Sequence, residues 1–128
     1  VEENLKNPNS SYYLGKTYEN KLDFKTENPD EERYARLTDY KDRYYSYLYT
    51  ALYLKQIETS WKKAGFTISE KIGVLATLYN IGFTKSVPKE NPSIGGAKID
   101  IGTTSYSFGG LADEFYKSGE LLQTFPRN

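Results

Sequence analysis

The stretch Ile72-Gly73-Val74-Leu75-Ala76-Thr77-Leu78-Tyr79-Asn80-Ile81 constrains this chain more than any other. It is apolar nearly all round, and a helix of that kind is covered on most sides. Ahead of it, Thr67-Ile68-Ser69-Glu70 fits the capping-box pattern, with Thr67 as N-cap and Glu70 three residues on. Gly82 behind it supplies a stop. The preceding segment carries Tyr47, Ala51, Leu54, Ile57, Trp61 and Ala64 at spacings of three or four, one face of a helix, widened by Leu48 and Leu52. Thr38 or Asp39 can cap its start, and Gly65 stands where a left-handed residue ends it. A helix from about 40 to 64 thus meets the apolar helix that Gly82 ends through a tight turn.

The flanks are weaker in pattern. Residues 1–36 are polar and irregular, with turns at Asn7-Pro8-Asn9-Ser10-Ser11 and Asn28-Pro29-Asp30 and a short helix expected from Pro29 to Arg36. Pro88, Pro92, Gly95 and Gly96 mark residues 83–96 as loop. Ala97, Ile99 and Ile101 alternate with Lys98, Asp100 and Gly102, which predicts a strand, and Ser105 to Phe108 its partner across a turn. Leu111, Ala112, Phe115 and Tyr116 make a last helix, stopped by Gly119. The expected fold is mainly α, with a small β-hairpin near residues 97–108. Residues 1–128 read as one domain or the C-terminal part of one: 1–36 irregular, 37–82 helical core, 83–110 loop and hairpin, 111–128 terminal helix and tail. The chain opens on Val1 rather than Met, which reads as a processed protein or a piece of a longer one.

Composition removes several chemistries. The 128 residues include no Cys, no His and no Met. Thiol nucleophiles, Ser-His-Asp arrangements and the usual zinc ligand sets are excluded within the chain, and no metal or cofactor is expected. Acid–base work must fall to a carboxylate, Tyr or Lys. Lys+Arg and Asp+Glu are both 17, so the basic excess of a nucleic-acid partner is missing. No apolar run is long enough for a membrane span. Gly95-Gly96 lacks the Gly-Lys-Ser/Thr ending of a phosphate loop and is expected to serve a turn. Thirteen Tyr residues stand out; their flat faces and hydroxyl tips suit sugar rings, and equally suit half-buried packing.

Asn80, at the end of an apolar helix, needs hydrogen-bond partners, a cleft to face or a helix end to cap. Leu75-Ala76-Thr77-Leu78-Tyr79-Asn80-Ile81-Gly82 resembles the "A-x-Y-N-x-G" helix of lytic transglycosylases and goose-type lysozymes. Leu37-Thr38-Asp39 and Tyr49-Thr50-Ala51-Leu52-Tyr53-Leu54-Lys55-Gln56-Ile57 resemble the entry to the family's "Y-L-x-x-L" helix. The resemblance spans about residues 37–82. It implies a lysozyme-like fold, a peptidoglycan or related glycan as partner, and an extracellular or cell-envelope location. It also implies that Tyr79 and Asn80 line a glycan cleft opposite a single catalytic Glu. The family's "G-L-M-Q" turn is absent. Its Glu finds its nearest match in Glu3, with Pro8 and Gly15 following at similar spacings but only two residues before it. Glu19 is a second candidate. Tyr106 and Phe108 are read as sugar-stacking residues or as packing under the last helix. The resemblance implies glycan cleavage in which one Glu serves as acid and then as base; the alternatives are a non-catalytic glycan-binding domain of the same fold and a helical protein-interaction module.

Overall fold

The computed structural model describes residues 1–127. The chain divides into two compact units, Val1–Ser60 and the chain from Trp61 onward. It is mainly helical with one two-stranded antiparallel sheet, as expected. Among the described residues no helix is long and apolar enough to cross a membrane.

In the first unit, α1 (Glu2–Leu5) leads through loops and a 3-10 turn at Lys16–Tyr18 to α2 (Pro29–Thr38). The start of α2 is written locally. Asn28 accepts the Glu31 N–H at 3.2 Å, Pro29 takes the first turn, and Asp30, Glu31 and Glu32 sit at the positive end of the helix dipole. Helix α3 (Tyr44–Lys63) starts later than Thr38 or Asp39 would have set it. The Asp39 carboxylate instead accepts the N–H groups of Lys41 and Asp42 at 3.0 Å, and Asp42 accepts that of Tyr44 at 2.9 Å. These side chains hold residues 39–43 in turns and compete with helix. Leu5, Leu22 and Leu52 form the buried cluster, with Leu14, Tyr18, Tyr45, Leu48 and Tyr49 packed against it.

One buried cation organises the loop between α1 and α2. The Arg36 side chain donates to the carbonyls of Leu22 at 2.9 Å and Asp23 at 2.6 Å. Its guanidinium lies 4.6 Å from the Phe24 ring centroid and 4.3 Å from that of Tyr45. Glu32, one turn earlier, pairs with Arg36 at 2.5 Å. The other Glu32 oxygen accepts the N–H groups of Lys25 and Thr26, each at 2.8 Å. A loop without a ladder needs partners for its backbone groups, and two α2 side chains supply them.

In the second unit, α3 ends in a Schellman motif. Gly65, at φ 95°, donates to Lys62 O and Phe66 to Trp61 O, both at 3.0 Å. The accompanying apolar contact is Phe66 against Trp61, edge to face at 6.4 Å. Trp61 is fully buried and its indole N–H donates to Ser86 Oγ at 3.1 Å. Helix α4 (Ile72–Ile81) begins after Lys71 with no side-chain cap. Thr67 and Glu70 therefore do not form the capping box: Lys71 N–H bonds Ile68 O at 2.9 Å, and this turn occupies the residues the box needed. Gly82 ends α4 as expected, so the C-cap is Gly82 and not Asn80.

Strands β1 (Lys98–Ile101) and β2 (Thr104–Ser107) pair in antiparallel register, Ile101 opposite Thr104 and Ile99 opposite Tyr106. Gly102 takes φ 62° at the first loop position, as a type II′ turn requires. Helix α5 (Phe108–Ser118) starts three residues before Leu111, because Ser107 caps it by accepting the Gly110 N–H at 3.1 Å. Phe108 is thus a helix residue rather than the end of a strand.

α4 and α5 meet where side chains are smallest. A Cβ on Gly109 would stand 2.0 Å from Thr77 Oγ1 and 2.7 Å from Gly73 O. Thr77 Oγ1 donates to Gly73 O at 2.6 Å and accepts the Gly95 N–H at 2.9 Å. Gly95 O in turn accepts the Gly109 N–H at 2.8 Å, and Ala97 O that of Phe108 at 2.9 Å. The segment 95–97 is thereby sewn to both helices.

Three substitutions test these contacts. Gly109→Ala should lower the unfolding free energy by about 3 kcal/mol, the upper part of the overpacking range. Adding Thr77→Ala should return part of the loss, since the two side chains would compete for one space. Urea midpoints for the two variants and the double variant read this directly, and an unshifted Gly109→Ala midpoint would refute the close approach. Arg36→Leu strips the 22–26 loop of its donors and should cost roughly 3–5 kcal/mol, the range for breaking a buried charge pair. A loss below about 1 kcal/mol by the same measurement would mean that solvent replaces the guanidinium.

Candidate functional site

The last turn of α4 places Tyr79 and Asn80 side by side, and residues further along the chain set the chemistry of each. Asn80 is exposed, and its Oδ1 accepts the Ala97 N–H at 2.6 Å. A backbone N–H can meet only the oxygen of the amide, so the orientation of this amide is fixed. Its NH2 group has no partner among the described residues and remains a donor toward solvent. Gly96 lies against the same amide: a Cβ there would come within 2.7 Å of Asn80 Oδ1, and its φ of 92° suits glycine. Tyr79 is half-buried, its ring stacked on Phe108 at 6.3 Å and 21°. Tyr106 is half-buried on β2, opposite Ile99. Its hairpin begins at the residue after Ala97, so Asn80 holds the base of the strand pair that carries Tyr106. The three residues expected to meet glycan thus share the second unit and one local framework of α4, 95–97 and the hairpin.

Thr77 belongs to this framework and carried no signal of its own in the sequence. It lies one turn before Asn80 on the same helix, and the two side chains take the N–H groups of Gly95 and Ala97, two residues apart.

The acid candidates belong to the first unit. Glu3 is exposed on the four-residue α1, and its carboxylate makes no hydrogen bond or ion pair among the described residues. Its neighbour Glu2 is the carboxylate that the fold builds in. Arg33 grips it in a fork, Nε to Oε1 at 2.8 Å and Nη2 to Oε2 at 2.6 Å, and the Tyr49 hydroxyl donates to Oε1 at 2.5 Å. The Arg33 hydrogen bonds pull the Glu2 carboxyl below its ordinary range; burial opposes them, and Tyr49 adds to the pull. Burial, together with the same contact, pushes the Tyr49 phenol up. Glu19, half-buried, accepts the Tyr13 hydroxyl at 2.5 Å, and this bond raises the Tyr13 phenol. The partners of Glu2 lie 31 and 47 residues away in sequence, so no local spacing reveals the network. No group of three acidic side chains placed to hold a metal ion occurs among the described residues.

In comparisons with known proteins, no family model, no curated protein and no solved structure matches this chain.

The Glu2 network makes a pH-dependent contribution to stability whose sign is fixed. Its folded pKa lies below the ordinary value of 4.5, so the contribution is complete above that value and disappears as pH falls through the lower folded pKa. Glu2→Gln should therefore destabilise the chain near neutral pH and leave it nearly unchanged in strong acid, below the folded pKa. Denaturation curves in both conditions check this; an equal effect in the two would assign the loss to packing instead of charge.

Proposed function

We propose that this chain acts on peptidoglycan or a related glycan in the lysozyme-like manner, cleaving glycan strands with a single glutamate as the lytic transglycosylases do. The observation that carries the reading is the Tyr79-Asn80 end of α4. It presents an oriented amide donor beside a half-buried aromatic face, and the 95–97 segment braces it from behind. Sugars are bound by that combination, a flat apolar ring for the face of a pyranose and fixed donors for its hydroxyl and acetamido oxygens. Tyr106 on the adjoining hairpin adds a second aromatic surface. Glu3 is the residue that the family resemblance assigns as acid, protonating the leaving oxygen before it serves as base. In this reading the protein works outside the cell or in the envelope, where such glycans are.

A specific observation favours a second reading, a glycan-binding domain without cleavage. An acid needs a carboxyl kept protonated by apolar surroundings. Glu3 stands in the open on a single helical turn, and Glu2 is held ionised by Arg33. Both readings predict that Tyr79→Ala and Asn80→Ala reduce co-sedimentation with purified peptidoglycan; they part on the products.

Digestion of purified peptidoglycan, read by mass spectrometry, decides between them. Anhydro-muropeptides released by the chain and lost in Glu3→Gln are the expected result for cleavage with Glu3 as acid. Persistence in the variant moves the acid elsewhere. Binding that depends on Asn80 with no products from either protein leaves the second reading.

A further inference from the structure

The opposite end of α4 borders a concavity that neither Tyr79 nor Asn80 lines. Two adjoining depressions, of about 310 and 450 Å³, share Lys71, Asn91 and Pro92 in their linings. Val74 and Ile94 give the larger one an apolar side. Glu70, Lys71, Lys89 and Glu90 stand around the pair, and none of these four side chains makes an ion pair or hydrogen bond among the described residues. Asp113 and Lys117, at the far rim, satisfy each other at 2.6 Å.

Two unpaired charges of each sign on one concave surface suit a particular ligand. A purely anionic or cationic group would be repelled by half of them. A short chain that carries both free carboxylates and a free ammonium can meet all four, with its apolar parts against Val74 and Ile94. The distance to the Tyr79-Asn80 end is also suitable. Lys71 and Asn80 are nine residues apart, about 13 Å along the helix. Four extended peptide residues reach about 13–14 Å.

We propose that this cleft binds the short peptide stem borne by a cell-wall glycan, with Lys71 and Lys89 taking its carboxylates and Glu70 and Glu90 its amine. The inference rests on the glycan reading of the Tyr79-Asn80 end and extends it to the peptide part of the same substrate.

The test uses the full chain, labelled with nitrogen-15, and two separate probes. One is the N-acetylated tetrapeptide Ac-L-Ala–γ-D-Glu–L-Lys–D-Ala, whose N-terminal amide stands in for the link to the glycan; the other is chitotetraose, which carries no peptide. The tetrapeptide should shift the amide resonances of Lys71, Lys89 and Asn91. Its affinity should fall roughly five- to tenfold in Lys71→Ala/Lys89→Ala, the effect of removing two exposed charge pairs, while the spectrum stays folded. The same peptide amidated at both carboxyl groups should bind the unaltered chain less tightly. Chitotetraose should shift Tyr79 and Asn80 and be indifferent to the two lysines. If chitotetraose binds and the tetrapeptide leaves the cleft resonances in place, or binds the double variant as tightly, the stem site is wrong and the glycan reading stands. If chitotetraose perturbs nothing, the glycan reading falls, and the assignment of the cleft to a peptide stem falls with it.

Discussion

The second unit depends on a backbone-to-backbone approach that only glycine permits. Gly73 on α4 and Gly109 on α5 bring the helices together at a point where Thr77 Oγ1 bonds a helical carbonyl and also takes the N–H of Gly95. The 95–97 segment crosses this point bonded on both sides, to α4 through Thr77 and Asn80 and to α5 through the N–H groups of Phe108 and Gly109. A larger side chain at position 109 would push α5 from α4, and the same displacement would carry the base of the hairpin with it. The packing of the two helices and the placement of Asn80 are thus one constraint. Interiors at native density transmit such displacements, because there is no free volume to absorb them.

The first unit solves a different problem by polar means. Its buried cluster is small, Leu5, Leu22 and Leu52 with a ring of half-buried Tyr and Leu residues, and the chain from Lys6 to Asn28 is mostly irregular. Apolar burial alone orders such a loop poorly, since every unladdered N–H and C=O must still be satisfied. Arg36 and Glu32 bring donors and acceptors to residues 22–26 from a regular helix, and the rings of Phe24 and Tyr45 cover the guanidinium. Arg suits this role where Lys would not: its planar, multiply donating head can bond two carbonyls while aromatic faces lie against it.

How much of this was legible in the sequence depends on the range of each interaction. α3 and α4 were readable as helices from spacing and terminal glycines, which are local, but the face of α3 was read only in part: Leu52, Gln56, Ile57, Ser60 and Trp61 are buried, while Tyr47, Ala51 and Ala64 of the expected stripe are exposed. The hairpin was readable from alternation and Gly102. The capping box failed at Thr67 because a turn from Ile68 to Lys71 delays the helix, and such turns carry no periodic signature. α5 began early because Ser107 has cap chemistry that an alternating strand pattern hides. Asn80 was legible as a residue needing a partner, but the partner, Ala97 N–H, lies 17 residues on in a loop. Arg36 and Glu2 were illegible in sequence, since each looks like an ordinary surface charge until distant residues meet it.

Glu2 and Glu3 show how completely environment separates two identical side chains. Adjacent helical residues point about 100° apart, so α1 directs one carboxylate to Arg33 and Tyr49 and leaves the other in water. A carboxylate that an arginine fork holds ionised is suited to orienting neighbours and to stabilising positive charge; it is a poor proton donor. A carboxyl in the open becomes a useful acid only when something removes its water and surrounds it with apolar surface. In the proposed reaction that cover has to come from the glycan itself. Cleavage at Glu3 would then be a property of the complex, and the Glu2–Arg33–Tyr49 network would serve to hold α1 in place.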